Sequence, residues 1–245
     1  NPHVYVSSFA DYAAVAHAAD GWFKDKAAVT PEIRALADQL TAGISDPRAQ
    51  AEKLYDWVSS HVSYVQIVLG AGGFVPHAAS EVLANRFGDC KDHVMLLGAL
   101  LAAKGIASSP VLIGVGPSFD LPRAPTPYAF NHVITYIPQF KLFADSTAQF
   151  APFGVLPGGD AGRPVILTAT GEEMQTPPLD ATDNRISVVE KIDISPDGNA
   201  VGDSTVSAQG AAAVDLRGLV SSISASAEPE YFTQMLGPGS EGSIQ

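Results

Sequence analysis

The sequence predicts an α+β fold, with helices first and strands after. Capped segments of helical periodicity run from Thr30 to Lys104, the last of them opening at Cys90, and β-branched runs bounded by Pro and Gly take over from Ser109. That segregation in chain order separates an α+β arrangement from an alternating α/β one.

Thr30-Pro31 supplies a cap and a first-turn proline, and Ile33, Leu36, Ala37 and Leu40 repeat at helical spacing until Gly43. Asp46-Pro47 opens a second helix in the same way, with Leu54, Trp57, Val58 and His61 along one face. Both helices are expected to pack on the Cys90 helix. Val62 to Val68 is β-branched and reads as a strand, Gly70-Ala71-Gly72-Gly73 as a flexible connection, and Ala79 to Asn85 as a short helix leading to Gly88. The apolar run Val94 to Leu101 continues the Cys90 helix to Lys104-Gly105, where glycine ends it, and Ser109 to Val115 reads as a strand.

Gly116 to Ala129 contains Pro117, Pro122, Pro125 and Pro127 and is too irregular for helix or strand. Strand-like segments then carry His132 at one end and Asp145 at another. Pro152 to Pro164 holds four glycines and three prolines, and Thr176-Pro177-Pro178 marks an expected boundary between residues 1–178 and 179–245. Beyond it, apolar alternation from Ile186 to Ile194 and from Val201 to Val206, split by Asp197-Gly198, predicts a β-hairpin. Short helices are expected over Val214 to Ile223 and Glu228 to Leu236. No closing element follows, so this small C-terminal β-containing part reads as the truncated start of a further domain.

Composition narrows the function classes. The 245 residues are 46% hydrophobic and 16% charged, enough to bury a core in one large or two small domains. Twenty-six acidic against fourteen basic residues give a net charge of −12, and no Lys/Arg cluster exists to track phosphates, so nucleic acid is excluded as a partner and anionic membrane surfaces would repel the chain. No apolar run reaches the roughly eighteen residues of a membrane span. The chain begins at Asn1 without a signal pattern, which reads as a processed or trimmed start.

Cys90 is the one cysteine, so an intramolecular disulfide is impossible and redox compartment is not legible from cysteine count. It stands in Gly88-Asp89-Cys90-Lys91-Asp92-His93, at the expected first turn of its helix, where unpaired N–H groups and the helix dipole favour an anion. The thiolate is the nucleophilic form of cysteine. His132, in Phe130-Asn131-His132-Val133-Ile134, and Asp145, in Phe143-Ala144-Asp145-Ser146-Thr147, follow in the order nucleophile, base, orienter. Each has a plainer reading: a small buried thiol, a structural histidine, an aspartate opening an Asx turn. Asp89 and Asp92 read as helix-start caps. Cys90 with His93 lies at the spacing of two zinc ligands, but neither a second cysteine nor a paired-histidine motif accompanies them, so no metal or other cofactor is expected. His93 reads as a helix-surface residue.

These three segments resemble the transglutaminase-like superfamily over roughly Ala35 to Pro157, about half of the chain. The resemblance implies a papain-like or transglutaminase-like core in residues 1–178, with helices packed on an antiparallel sheet and the cysteine at a helix N-terminus. It implies Cys90 as nucleophile, His132 as general base and acid, and Asp145 as the group holding the imidazole. The Gly-Asp-Cys-Lys-Asp, Phe-Asn-His-Val-Ile and Asp-Ser-Thr runs are similar to a bacterial branch usually met within larger secreted or envelope-attached proteins. That implies a periplasmic or envelope location, with the cytoplasm left open.

The chemistry implied is acyl transfer at an amide of a protein or peptide through a thioester, resolved by water or by a second amine. The oxyanion would be held by the Cys90 backbone N–H and an upstream donor, for which Tyr64 is the nearest match, its alternative being a half-buried strand aromatic. Hydrolysis or proteolysis is favoured over cross-linking by analogy with bacterial members. The Pro-rich loop from Gly116 to Ala129 would either wall a substrate cleft or merely connect strands. The competing class is a catalytically silent binding or assembly module of an envelope protein.

Overall fold

The helices begin where short polar side chains can take up orphaned N–H groups. Asp11 accepts from Ala14 N–H ahead of α1 (Tyr12–Phe23), Thr30 from Ile33 N–H ahead of α2 (Pro31–Leu40), and Asp46 from Ala49 N–H ahead of α3 (Pro47–His61). Pro31 and Pro47 stand in the first turn, where a missing N–H costs no intrahelical bond. The computed structural model describes residues 6–66, 73–117, 120–237 and 240–244. The chain divides into two units, Asn1–Leu179 and Asp180–Gln245.

In the first unit the elements after α3 are β1 (Ser63–Tyr64), α4 (Ala79–Asn85), β2 (Phe87–Gly88), α5 (Cys90–Ala103), β3 (Ser109–Ile113), β4 (His132–Ile137), β5 (Leu142–Ala144), β6 (Pro164–Leu167) and β7 (Glu173–Gln175). Helix α5 is apolar nearly all round because it is central: α2, α3 and α4 pack about it and β4 lies against it. Leu96, Leu97, Leu100 and Leu101 are fully buried, each contributing about 1.5–3 kcal/mol of transfer free energy. Gly105, at φ +73°, follows the helix in the left-handed conformation that lets the chain turn toward β3.

The five-stranded sheet has the order β5-β4-β3-β6-β7 and every pairing is antiparallel. Alternation sorts its central side chains onto two faces. Leu112, Val133 and Ile166 join the helical core, while Val111, Ile113, Ile134, Val165 and Leu167 form a second cluster closed by Phe143 and Leu156.

Several expectations are corrected here. Helix α1 was not anticipated; it buries Val15, Ala16, Ala19 and Phe23, but an alanine-rich stripe gives little contrast between its faces in the sequence. The strand expected over Val62 to Val68 shrinks to Ser63–Tyr64, paired parallel with Phe87–Gly88; residues 67 and 68, and Gly70, Ala71 and Gly72 of the expected connection, lie outside the described residues. Strands β6 and β7 occupy the stretch between Pro164 and Thr176, to which the sequence assigns no element, because this short hairpin offers only Val165-Ile166-Leu167 and Met174 as apolar content. His93 is 1% exposed, not on the surface, because α5 has no solvent face at its start.

In the second unit β8 (Ile186–Ile194) pairs antiparallel with β9 (Ala200–Ala208) around a turn in which Gly198 takes φ +87°. Helices α6 (Ala211–Ser222) and α7 (Glu228–Leu236) follow, and Asn184 accepts from Ala211 N–H at the start of α6. Ile186, Val188, Ile192 and Ile194 of the hairpin are exposed.

Candidate active site

The entry to α5 is built from its own acidic residues. Asp89, the N-cap, accepts from Lys91 N–H at 3.0 Å and Asp92 N–H at 3.4 Å, and Asp92 returns the bond by accepting from Asp89 N–H at 3.2 Å, completing a capping box. Asp92 also accepts from His77 N–H at 2.7 Å, and its Oδ2 lies 2.9 Å from His77 Nδ1, tying the preceding loop to the helix start. Lys91 Nζ bonds Asp89 Oδ2 at 2.5 Å, both groups buried. Gly88 is required by space: a Cβ there would stand 2.5 Å from Asp92 Cβ. The turn therefore fixes Cys90, 8% exposed, as the first residue of α5.

Strand β3 carries the base into place. His132 opens β4 opposite Ile113, and Asn131 just before it is held by two 2.8 Å bonds with the Val115 backbone. Asp145 directly follows β5. Its Oδ2 lies 3.0 Å from His132 Nε2, and its Oδ1 accepts from Thr147 N–H at 2.9 Å and Thr147 O–H at 2.7 Å. The Asx turn expected as the plainer reading of Asp145 is thus present together with the histidine contact. Tyr55 on α3 donates its hydroxyl to the carbonyls of Asp145 and Ala151, each at 3.0 Å, and so holds the backbone on which the carboxylate sits.

Because Nε2 is committed to Asp145, Nδ1 is the ring nitrogen left over, and Cys90 is among the neighbours that raise the imidazole's proton affinity. Burial is the largest influence on His132 and favours the neutral ring. The Asp145 charge, its hydrogen bond and Cys90 together outweigh it and hold His132 well above the usual histidine value. Burial likewise pushes Asp145 up, but His132 and the bonds from His132 and Thr147 prevail, leaving its carboxyl below the usual range. Imidazolium and carboxylate are the forms this pair favours.

Cys90 and His132 line a cavity of about 130 Å³ with Val15, Trp22, Phe74 and Phe130. Tyr64 lines the same cavity and is 48% exposed; burial, then the neighbouring Cys90, Asp89 and Asp145, raises its hydroxyl pKa. Pro127, from the end of the Pro-rich loop, also reaches the wall. Of the pair at zinc-ligand spacing, His93 lies in the interior, where its Nδ1 bonds the Ser146 carbonyl at 3.0 Å and burial lowers its pKa.

Three contributors escaped the sequence reading. Trp22 comes from the unanticipated α1, and Thr147 stands in the Asp-Ser-Thr run without a role of its own in the sequence reading. Asp160, 3% exposed in the turn Gly158–Asp160, stands beside the histidine–aspartate pair: one ligand-type atom from each of His132, Asp145 and Asp160 lies within 4.8 Å of the others, the one such grouping among the described residues. A single acid in a glycine-rich stretch carries no sequence signal for such burial.

Residues 34–133 match the family model for the transglutaminase-like superfamily, a segment that includes Cys90 and His132 and ends before Asp145. Among curated proteins none matches. A crystal structure of a candidate protease from Parabacteroides distasonis ATCC 8503 is similar at 16% identity and a TM-score of 0.54, over 74% of this chain and 37% of that one. A candidate cysteine protease from Cytophaga hutchinsonii is similar at 15% identity and a TM-score of 0.39, over 78% of this chain and 55% of that one. The chain therefore spans about a third to a half of these proteins' lengths. The α+β arrangement of helices on an antiparallel sheet is shared with the first.

Proposed function

We propose, from the transglutaminase-like core that residues 34–133 carry, that this chain is a cysteine-dependent hydrolase or acyltransferase acting at amide bonds, with Cys90, His132 and Asp145 as its triad. The observation that carries the reading is the 3.0 Å bond from His132 Nε2 to Asp145 together with Cys90, at the first turn of its helix, lining the same cavity as His132. With the thiol proton already held on His132 as imidazolium, the Cys90 thiolate attacks the amide carbonyl. His132 then protonates the departing amine, and water or another amine resolves the thioester. The Cys90 N–H has no intrahelical acceptor and serves as one oxyanion donor, with the Tyr64 hydroxyl as the other.

The cavity's aromatic and aliphatic wall favours an apolar or aromatic side chain on the acyl part of a peptide. Hydrolysis of peptides is the outcome we favour over cross-linking, and a periplasmic or envelope location fits the motif runs. No helix among the described residues is long and apolar enough to cross a membrane.

The test is the rate of Cys90 alkylation by iodoacetamide between pH 5 and 9 in the parent and in His132→Ala, with mass spectrometry of products from a peptide library. The triad reading expects labelling faster than a free thiol, slowed by loss of His132, and product masses showing water or amine addition. Labelling only after denaturation would favour a binding module instead.

A further inference from the structure

We propose that Asp160 is a positioning residue that holds a proton shared with Asp145, and that through this bond it fixes Asp145 against His132. The inference deepens the triad reading and rests on it.

Asp145 and Asp160 are 4% and 3% exposed, and one carboxyl oxygen from each lies within 4.8 Å of the other and of a His132 nitrogen. Two carboxylates that close, away from water, do not both ionise, because neither solvent nor distance screens their repulsion. The donors decide which keeps the proton. Asp145 accepts from His132, from Thr147 N–H and from Thr147 O–H, which stabilise its anion. Asp160 Oδ2 meets no donor among the described residues, a poor setting for a buried anion and a suitable one for a hydroxyl that itself donates.

The remaining groups facing Asp160 are Tyr55, whose proton affinity it raises, and Arg163, whose charge favours the ionised acid and whose Nε–H bonds the Gly159 carbonyl at 2.9 Å. Burial first, then the Asp145 charge, push Asp160 up to about 7 despite His132 and Arg163, with a side-chain bond to Asp145 contributing. The turn is built to hold the acid in place: the Asp160 carbonyl accepts from the Thr176 hydroxyl at 2.5 Å, and its N–H bonds the Pro157 carbonyl at 3.0 Å. Below neutrality Asp145 then receives a fourth donor, and the imidazole it orients is held more tightly. Above neutrality a second negative charge forms beside it and the arrangement loosens.

The experiment is ¹³C NMR titration of aspartate carboxyls in the parent, Asp160→Asn and Asp145→Asn, with the pH profile of Cys90 alkylation in the parent, Asp160→Asn and Asp160→Ala. One carboxyl should titrate near 7, vanish in Asp160→Asn, and fall toward the ordinary range in Asp145→Asn. Asp160→Asn, which keeps a donor at every pH, should label within about threefold of the parent at pH 6 and lose the profile's inflection near 7. Asp160→Ala should label roughly tenfold more slowly at pH 6. An Asp160 carboxyl titrating near 4, or an Asp160→Ala profile matching the parent, overturns the proposal. The triad reading fails separately, if parent Cys90 labels no faster than a free thiol; the proton sharing then stands or falls on the carboxyl titration, and the positioning role is refuted.

Discussion

Asp145→Asn removes one charge and keeps the side chain's shape, so its consequences can be followed atom by atom. The carboxylate accepts three bonds, from His132 Nε2 at 3.0 Å, Thr147 N–H at 2.9 Å and Thr147 O–H at 2.7 Å. An amide oriented with its oxygen toward Thr147 sets its NH₂ against Nε2. The imidazole must then accept there, carrying its proton on Nδ1, and cannot take one from sulfur. The opposite orientation sets two N–H groups against each other at Thr147. The first orientation keeps the bonds and loses the ion pair with His132, whereas the second leaves buried N–H groups without a partner, at a cost of about 1–3 kcal/mol.

Turnover should fall further than stability. In the serine-protease case the corresponding substitution lowers kcat about 10⁴-fold; a thiol depends less on its base, so a loss on the order of 10²–10³ is expected here. The sign of the pH dependence follows from the pair. His132 is raised in the folded state, so its contribution is complete below the free histidine value of about 6.5 and is lost as pH rises through the raised one. Asp145 is lowered, so its contribution is complete above about 3.9 and lost as pH falls through the lowered value. These two groups make the stability gap between parent and variant complete from about pH 4 to 6.5, and because Asp160 is raised to about 7 only in the parent, the gap should be widest near the acid end of that window and narrow at both extremes. Circular dichroism melting across pH and kinetics on any peptide found to turn over are the assays. Unchanged turnover with unchanged melting would remove Asp145 from the mechanism.

Three further outcomes are expected. Gly88→Ala would drive a Cβ to 2.5 Å from Asp92 Cβ, so the α5 start must shift; about 1–3 kcal/mol should be lost, or roughly 2–4 °C of Tm per kcal/mol, and slower Cys90 alkylation should accompany it. Tyr64→Phe should lower kcat by on the order of 10²-fold with little change in KM if the hydroxyl is an oxyanion donor, whereas a change in KM alone would make Tyr64 a wall residue. Trp22→Ala should raise KM for peptides with bulky apolar acyl-side residues while melting moves little, since Trp22 is only partly buried; equal effects on all peptides would count against the cavity as the specificity site.

Much of this architecture is legible in the chain because its causes are local. Thr30-Pro31 and Asp46-Pro47 cap helices with their own side chains, the uniformly apolar run after Cys90 belongs to a helix covered on all sides, and Asp197-Gly198 turns a hairpin regardless of its neighbours. The grouping of Cys90, His132 and Asp145 was suggested by their order and motifs, but the meeting itself is long-range, made by β3, β4 and β5 aligning two strand ends beside one helix start. Tertiary structure alone decided the rest. Asp160 carries no pattern that separates a buried acid from a solvated turn residue, His93 looks like a surface histidine until helices and sheet enclose its turn, and α1 becomes a cavity wall only by packing against distant chain. Burial and proton affinity depend on which groups converge from far along the sequence, and such convergence has no local periodicity or capping signal to announce it.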